Sequence, residues 1–286
     1  SPSTRSDPHV TSASSSSSNV CYRHPDRQSY ILCQRCGRTI CPQCQTQAAV
    51  GVQCPECVRE GRASTPRTKP AFITALQSGN APVVTYSLIA LCVIAFIAQN
   101  IPGNVATLVN IFGVYRPAYT DQLPWTMITS MFLHGSIVHL GLNMFSLFIF
   151  GPIMERMLGK GRFLALYLVS GFGGSVAVLL RAPTSAVLGA SGAIFGLMGA
   201  FFVIQRRLGA NSTYLLVLIG INLVYGFLPG TNISWQAHVG GLVAGAAVAF
   251  VYLRTRRVDQ KRLQIVLVAA IVLALIVLTL VGTFVL

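Results

Sequence analysis

The chain has 286 residues, 53% of them hydrophobic and 10% charged, far below the roughly 25% charge of a soluble globular protein, so most of it does not face water. Its formal net charge of +14, from 21 Lys and Arg against 7 Asp and Glu, suits either a nucleic acid or an anionic membrane surface. The placement of the charges along the chain decides between these two.

Residues 1–20 are Ser-rich with almost nothing apolar, and read as a disordered tail in which His9 is an ordinary tail residue. The first 70 or so residues are polar, so no signal peptide is expected. Residues 21–58 hold seven of the eight cysteines, and residues 59–80 form a basic linker rich in Pro, Thr and Ser. Seven apolar blocks follow, at about 82–101, 134–154, 162–181, 187–205, 213–229, 235–253 and 263–286. Each is near the roughly 20 residues that cross a bilayer as a helix, and in lipid only a helix or a closed barrel satisfies the backbone. The fold class expected is therefore an all-α polytopic membrane protein. A six-helix domain covers 81–255, a connector and seventh helix cover 256–286, and a loop of about 30 residues joins the first two helices.

Nineteen of the 21 basic residues fall before the first helix or in the second, fourth and sixth connections; Arg116 and Arg181 fall on the other side. This asymmetry puts the N-terminus in the cytoplasm and the C-terminus outside. It also accounts for the net charge without nucleic acid, because the basic residues are scattered over loops and not interleaved with aromatics. The expected location is a bacterial plasma membrane.

The cysteine cluster reads Cys21-x2-His24, Cys33-x2-Cys36, Cys41-x2-Cys44 and Cys54-x2-Cys57. Four such knuckles give eight ligands, enough for two tetrahedral structural zinc ions. Disulfides are excluded by the reducing compartment that the charge rule assigns. With few core candidates (Tyr30, Ile31, Leu32, Ile40, Val50 and Val52) the module needs metal to fold. A hydrolytic zinc is not expected, since every ligand position is filled. The spacing resembles B-box and RING-like modules, and the resemblance implies cross-bracing, with knuckles one and three sharing an ion and two and four the other. The expected ligand of the module is a cytoplasmic protein or a lipid headgroup. Cys92, alone in the first apolar block, reads as a small apolar residue.

Polar side chains within apolar helices mark function. The second block holds His134, His139 and Asn143, the fourth Ser191, and the sixth His238. Helices two, four and six run in the same direction, and all these residues lie near their starts, at a shared depth. Gly192, Gly196 and Gly199 on the fourth helix and Ala237, Gly241 and Gly245 on the sixth allow close approach, bringing His238 to Ser191. A neutral histidine can take the hydroxyl proton and activate the serine. His139 and Asn143, spaced i, i+4, project from one face and can donate to an oxyanion beside the Ser191 backbone N–H. Glu155 lies at the wrong end of helix two and Asp121 in the loop, so a Ser–His dyad is expected rather than a triad.

Gly189-Ala190-Ser191-Gly192, His238 followed by Gly240 and Gly241, and His139-x-x-x-Asn143 together resemble the rhomboid family of intramembrane serine proteases, over about residues 80–255. The resemblance implies Ser191 as nucleophile, His238 as general base, His139 and Asn143 as oxyanion donors, and His134 as a structural or auxiliary histidine. It implies a serine endopeptidase that needs no cofactor for its chemistry. Transmembrane protein substrates would enter between helices near helix five and the first loop, with membrane lipids around them. Two positions depart from the family: Trp125 is followed by Thr126 where Arg is frequent, and Phe195 stands where some members carry a Tyr that stacks on the histidine. A non-catalytic rhomboid-like scaffold that binds client membrane proteins is the alternative, disfavoured by the presence of both Ser and His. A transporter finds no internal repeat or mid-membrane acid to support it.

Overall fold

A computed structural model of the chain describes residues 19–48, 50–64, 81–226 and 233–285, as two compact units, Ser1–Ala71 and Phe72–Leu286. The expected tail lies almost wholly outside the described residues, as do most of the expected linker and the end of the fifth apolar block.

In the first unit, β1 (Thr46–Gln47) and β2 (Val52–Gln53) pair antiparallel, and Gly51 takes the positive φ of 63° that lets the chain turn back. Helix α1 (Pro55–Ser64) starts with Pro at its first position and Glu56 in its first turn, both suited to a helix N-terminus. The apolar interior consists of six cysteines and Ile40, with Ser29 buried beside them and donating to the Ile40 carbonyl. Ile40 is the one expected core residue that is fully buried; Val52 is partly buried, while Tyr30, Ile31, Leu32 and Val50 are exposed. The physical reason is size: the cysteine knuckles fill the small interior and leave no room for larger apolar side chains.

The second unit is helical. Its order is α2 (Val83–Asn100), α3 (Asn104–Gly113), α4 (Thr126–Thr129), α5 (Ile137–Leu158), α6 (Lys160–Arg181), α7 (Ser191–Arg207), α8 (Thr213–Gly226), α9 (Trp235–Arg254) and α10 (Lys261–Val285). Five of these, α2, α5, α6, α9 and the segment ending in α10, are long and apolar enough to cross a membrane. The fourth apolar block becomes the 17-residue α7, starting at Ser191 and not at 187. Residues 182–190 are instead an irregular strap, because Val187 exchanges two backbone hydrogen bonds with Tyr115 in the first loop and Gly189 takes a φ of 124°. The long first loop holds α3 and α4, which its length alone did not reveal.

Burial ranks the helices. Two thirds of the apolar window of α6 (67%) is buried, against 6% for the segment ending in α10. Helices α6, α7 and α9 therefore form the centre of the bundle, each packed on the other two. A Cβ on Gly241 or Gly245 would run into the backbone of Gly192 or Gly196, so the two helices touch backbone to backbone. From α6, Gly174 meets the Ala237 carbonyl and Gly173 the Gly240 carbonyl. Glu155, near the end of α5, accepts from the Val84 and Thr85 N–H groups at 3.0 and 2.8 Å and from the Thr85 hydroxyl at 2.7 Å. It thereby caps the start of α2 with a charge opposite to the helix dipole.

Candidate active site and metal centres

Ser191 is the first residue of α7, so its N–H is one of the four at a helix start with no intrahelical acceptor. His238 is the fourth residue of α9, whose first turn is capped by Ser234 accepting from Ala237 N–H. The close α7–α9 contact sets their side chains together. Ser191 Oγ lies 3.0 Å from His238 Nε2. Phe195, one turn after Ser191, stacks on the imidazole with ring centroids 4.1 Å apart and planes 9° from parallel. One helix thus supplies both the hydroxyl and the plate that orients the histidine. His238 Nδ1 is buried without a hydrogen-bond partner among the described residues, and Glu155 is held at the α2 cap. No carboxylate among the described residues bonds to this histidine.

His139 is the third residue of α5, and Ser136 caps that helix by accepting from its N–H at 3.1 Å. A Cβ on Gly189 would stand 2.7 Å from the His139 ring, so the imidazole lies on the strap just ahead of Ser191. Asn143 follows one turn on, and its amide donates to the His139 carbonyl at 2.9 Å, leaving its second N–H available. His134 is buried edge-on against His139, centroids 5.2 Å apart, with both ring nitrogens unpartnered among the described residues. Its backbone N–H donates to Gln99 Oε1 of α2, and Gln99 in turn donates to Asn110 of α3. Gln99 and Asn110 were not singled out from sequence, although a Gln closing an apolar run is a usable signal. All five expected residues are therefore in one region, with Ser191 and His238 in direct contact.

The profile of the family described as "Rhomboid domain" matches residues 121–255. The putative rhomboid protease YdcA of Bacillus subtilis (strain 168) is 35% identical over 177 residues, which is 59% of this chain and 87% of that protein. The chain belongs to the rhomboid family. Rhomboid protease GluP of the same organism is 37% identical over 209 residues, 68% of this chain and 40% of that protein. The mitochondrial RHOMBOID-like protein 6 of Arabidopsis thaliana is 41% identical over 137 residues, 45% of this chain and 44% of that protein. The chain thus spans less than half the length of these last two relatives. Membership and the five long apolar helices make this rhomboid an integral membrane protein.

This rhomboid also carries two candidate metal centres in its first unit. Cys21, His24, Cys41 and Cys44 form one group and Cys33, Cys36, Cys54 and Cys57 the other, each with ligand atoms within 4.8 Å of one another. The first and third knuckles thus converge, as do the second and fourth. Cys36 Sγ and Cys54 Sγ are 3.8 Å apart, too far for a disulfide, and all eight cysteines are free. Zn–S bonds of about 2.3 Å in a tetrahedron require S···S edges of about 3.8 Å, so the spacing fits the ion. His24 Nδ1 lies 3.4 Å from Cys41 Sγ and Cys44 Sγ and 3.8 Å from Cys21 Sγ, and is the nitrogen that would bind. Burial raises the Cys21 and Cys33 thiols, but backbone hydrogen bonds outweigh it and bring both down to about 6. Burial and then neighbouring thiols push Cys44 up to about 11 and Cys57 up to about 12.

Proposed function

We propose that the chain is an intramembrane serine endopeptidase that hydrolyses a peptide bond in or near the transmembrane segment of membrane-anchored proteins. The observation that carries this reading is the 3.0 Å contact between Ser191 Oγ and His238 Nε2, held by the Phe195 stack. His238 takes the hydroxyl proton as Ser191 Oγ bonds to the scissile carbonyl carbon. The carbonyl oxygen becomes an oxyanion, stabilised by the Ser191 N–H, the His139 ring and the free N–H of Asn143. His238 then passes its proton to the leaving amine and the C–N bond breaks. Water, deprotonated by the same histidine, releases the new carboxyl end and restores Ser191. His134 supports His139 from behind. Two zinc ions, held by the two Cys/His groups, would supply folding energy to the first unit and take no part in hydrolysis. The excess of Lys and Arg before α2 and after α5, α7 and α9 orients the first unit to the cytoplasm and the C-terminus outward, in a bacterial plasma membrane.

The reading is tested by co-reconstituting the chain in vesicles with a panel of labelled single-span reporter proteins. Cleavage that disappears with Ser191→Ala is expected. Cleavage that persists in that variant, or its absence across the panel in wild type, counts against a protease.

A further inference from the structure

Helices α7 and α9 end side by side, at the opposite end from Ser191 and His238. Between their ends lies a groove of about 360 Å³ lined by Val203, Arg206, Arg207, Phe250, Leu253 and Arg254. The three arginines are exposed, and none has an acidic partner among the described residues, where the ion pairs involve Arg23, Arg27, Arg38 and Arg257. The Arg254 guanidinium rests over the Phe250 ring, 4.8 Å from its centroid. Two helix C-termini together present about one negative elementary charge. Three guanidinium groups therefore leave a surplus of about two positive charges in the groove.

The groove also has a direction. Val203 precedes Arg206 and Arg207 by three and four residues, and Phe250 precedes Arg254 by four. At 1.5 Å per residue the backbones of Val203 and Phe250 lie about 6 Å farther along the helices than those of Arg207 and Arg254, toward the middle of the spans, while Leu253 adjoins Arg254 and the Arg254 side chain reaches back over Phe250. A free phosphate would use the arginines and leave the apolar wall wet. An amphiphile fills both halves, with its charge at the helix ends and its chain below.

We propose that this groove binds an anionic phospholipid, its headgroup phosphate held by Arg206, Arg207 and Arg254 and an acyl chain laid along Val203, Phe250 and Leu253. The bound lipid joins the ends of the two helices that carry the dyad, about 24 Å from Ser191 along α7.

The test is thermal unfolding of the purified full chain in neutral detergent, with dioleoyl phosphatidylglycerol, dioleoyl phosphatidylcholine or glycerol 3-phosphate added. Phosphatidylglycerol alone is expected to raise the midpoint, by roughly 5 °C near saturation. Arg207→Gln with Arg254→Gln should lose most of that rise. Arg256→Gln with Arg257→Gln, which removes the same charge beside the groove, should keep it. An equal rise with either other additive, or an equal response in both double variants, overturns the proposal and leaves these arginines as topology signals only. Native mass spectrometry of the unmutated chain, offered both lipids at equal concentration, tests the same point without relying on a variant that folds. Preferential retention of phosphatidylglycerol is expected, and equal retention contradicts the site.

Discussion

Ser191 has an ordinary hydroxyl, and what distinguishes it is its surroundings: a histidine nitrogen at 3.0 Å and a helix start whose N–H has no intrahelical acceptor. Under the proposed chemistry, His139→Ala and Asn143→Ala each remove one oxyanion donor. Each is expected to lower kcat about 10²- to 10³-fold with KM little changed, measured on any reporter that wild type cleaves. A loss confined to KM would assign these residues to substrate binding. Phe195→Ala removes a stack worth about 0.5–1.5 kcal/mol, so kcat/KM should fall roughly two- to tenfold, while Phe195→Tyr should keep most of the rate. An unchanged rate in Phe195→Ala would show that the histidine is held by other groups. The candidate residues were legible in the sequence because polar side chains in apolar helices are rare enough to notice. The hydrogen bond from His134 N–H to Gln99 was not, because it joins residues 35 apart through a loop whose path no periodicity sets.

The α7–α9 contact places Ser191 beside His238, and its closeness depends on glycines. Gly245→Val would drive a side chain into the Gly196 backbone and force the helices apart. It is expected to lower the unfolding midpoint in detergent and to abolish Ser191 reactivity. Gly220→Ala, on the open face of α8 where a Cβ meets nothing within 4 Å, should leave both unchanged. Equal tolerance of the two substitutions would refute backbone contact as the positioning device. The small-residue spacing on α7 and α9 announced this contact in the sequence. The share taken by α6 carries the same kind of signal, since Gly173 and Ala177 lie four apart and both meet Gly240, but the spacing alone does not say which helix they face. The start of α7 was also misjudged, since residues 187–190 are apolar or small enough to extend a helix but are held as a strap by Tyr115.

At the scale of the whole molecule, the chain combines a unit whose interior is cysteine with one whose interior is a helix bundle. Zinc analysis should find two ions per chain, and Cys41→Ser with Cys44→Ser should reduce this to one. A strong chelator should unfold the first unit, seen as rapid proteolysis within residues 19–64, while the second unit keeps its unfolding midpoint. Retention of a protease-resistant first unit after complete metal removal would contradict a metal-dependent fold. The seven apolar blocks and the cysteine pairs made this division readable from composition. The burial of α6 came from the structure, because hydropathy scores a span and not its neighbours.

The most direct measurement is labelling of the purified chain with a fluorophosphonate probe, which bonds covalently to an activated serine. Wild type should label, whereas Ser191→Ala and His238→Ala, checked for an unchanged unfolding midpoint, should not. If folded wild type stays unlabelled under conditions where a rhomboid of established protease activity labels, or if Ser191→Ala labels as strongly as wild type, the proposed dyad is not a reactive centre.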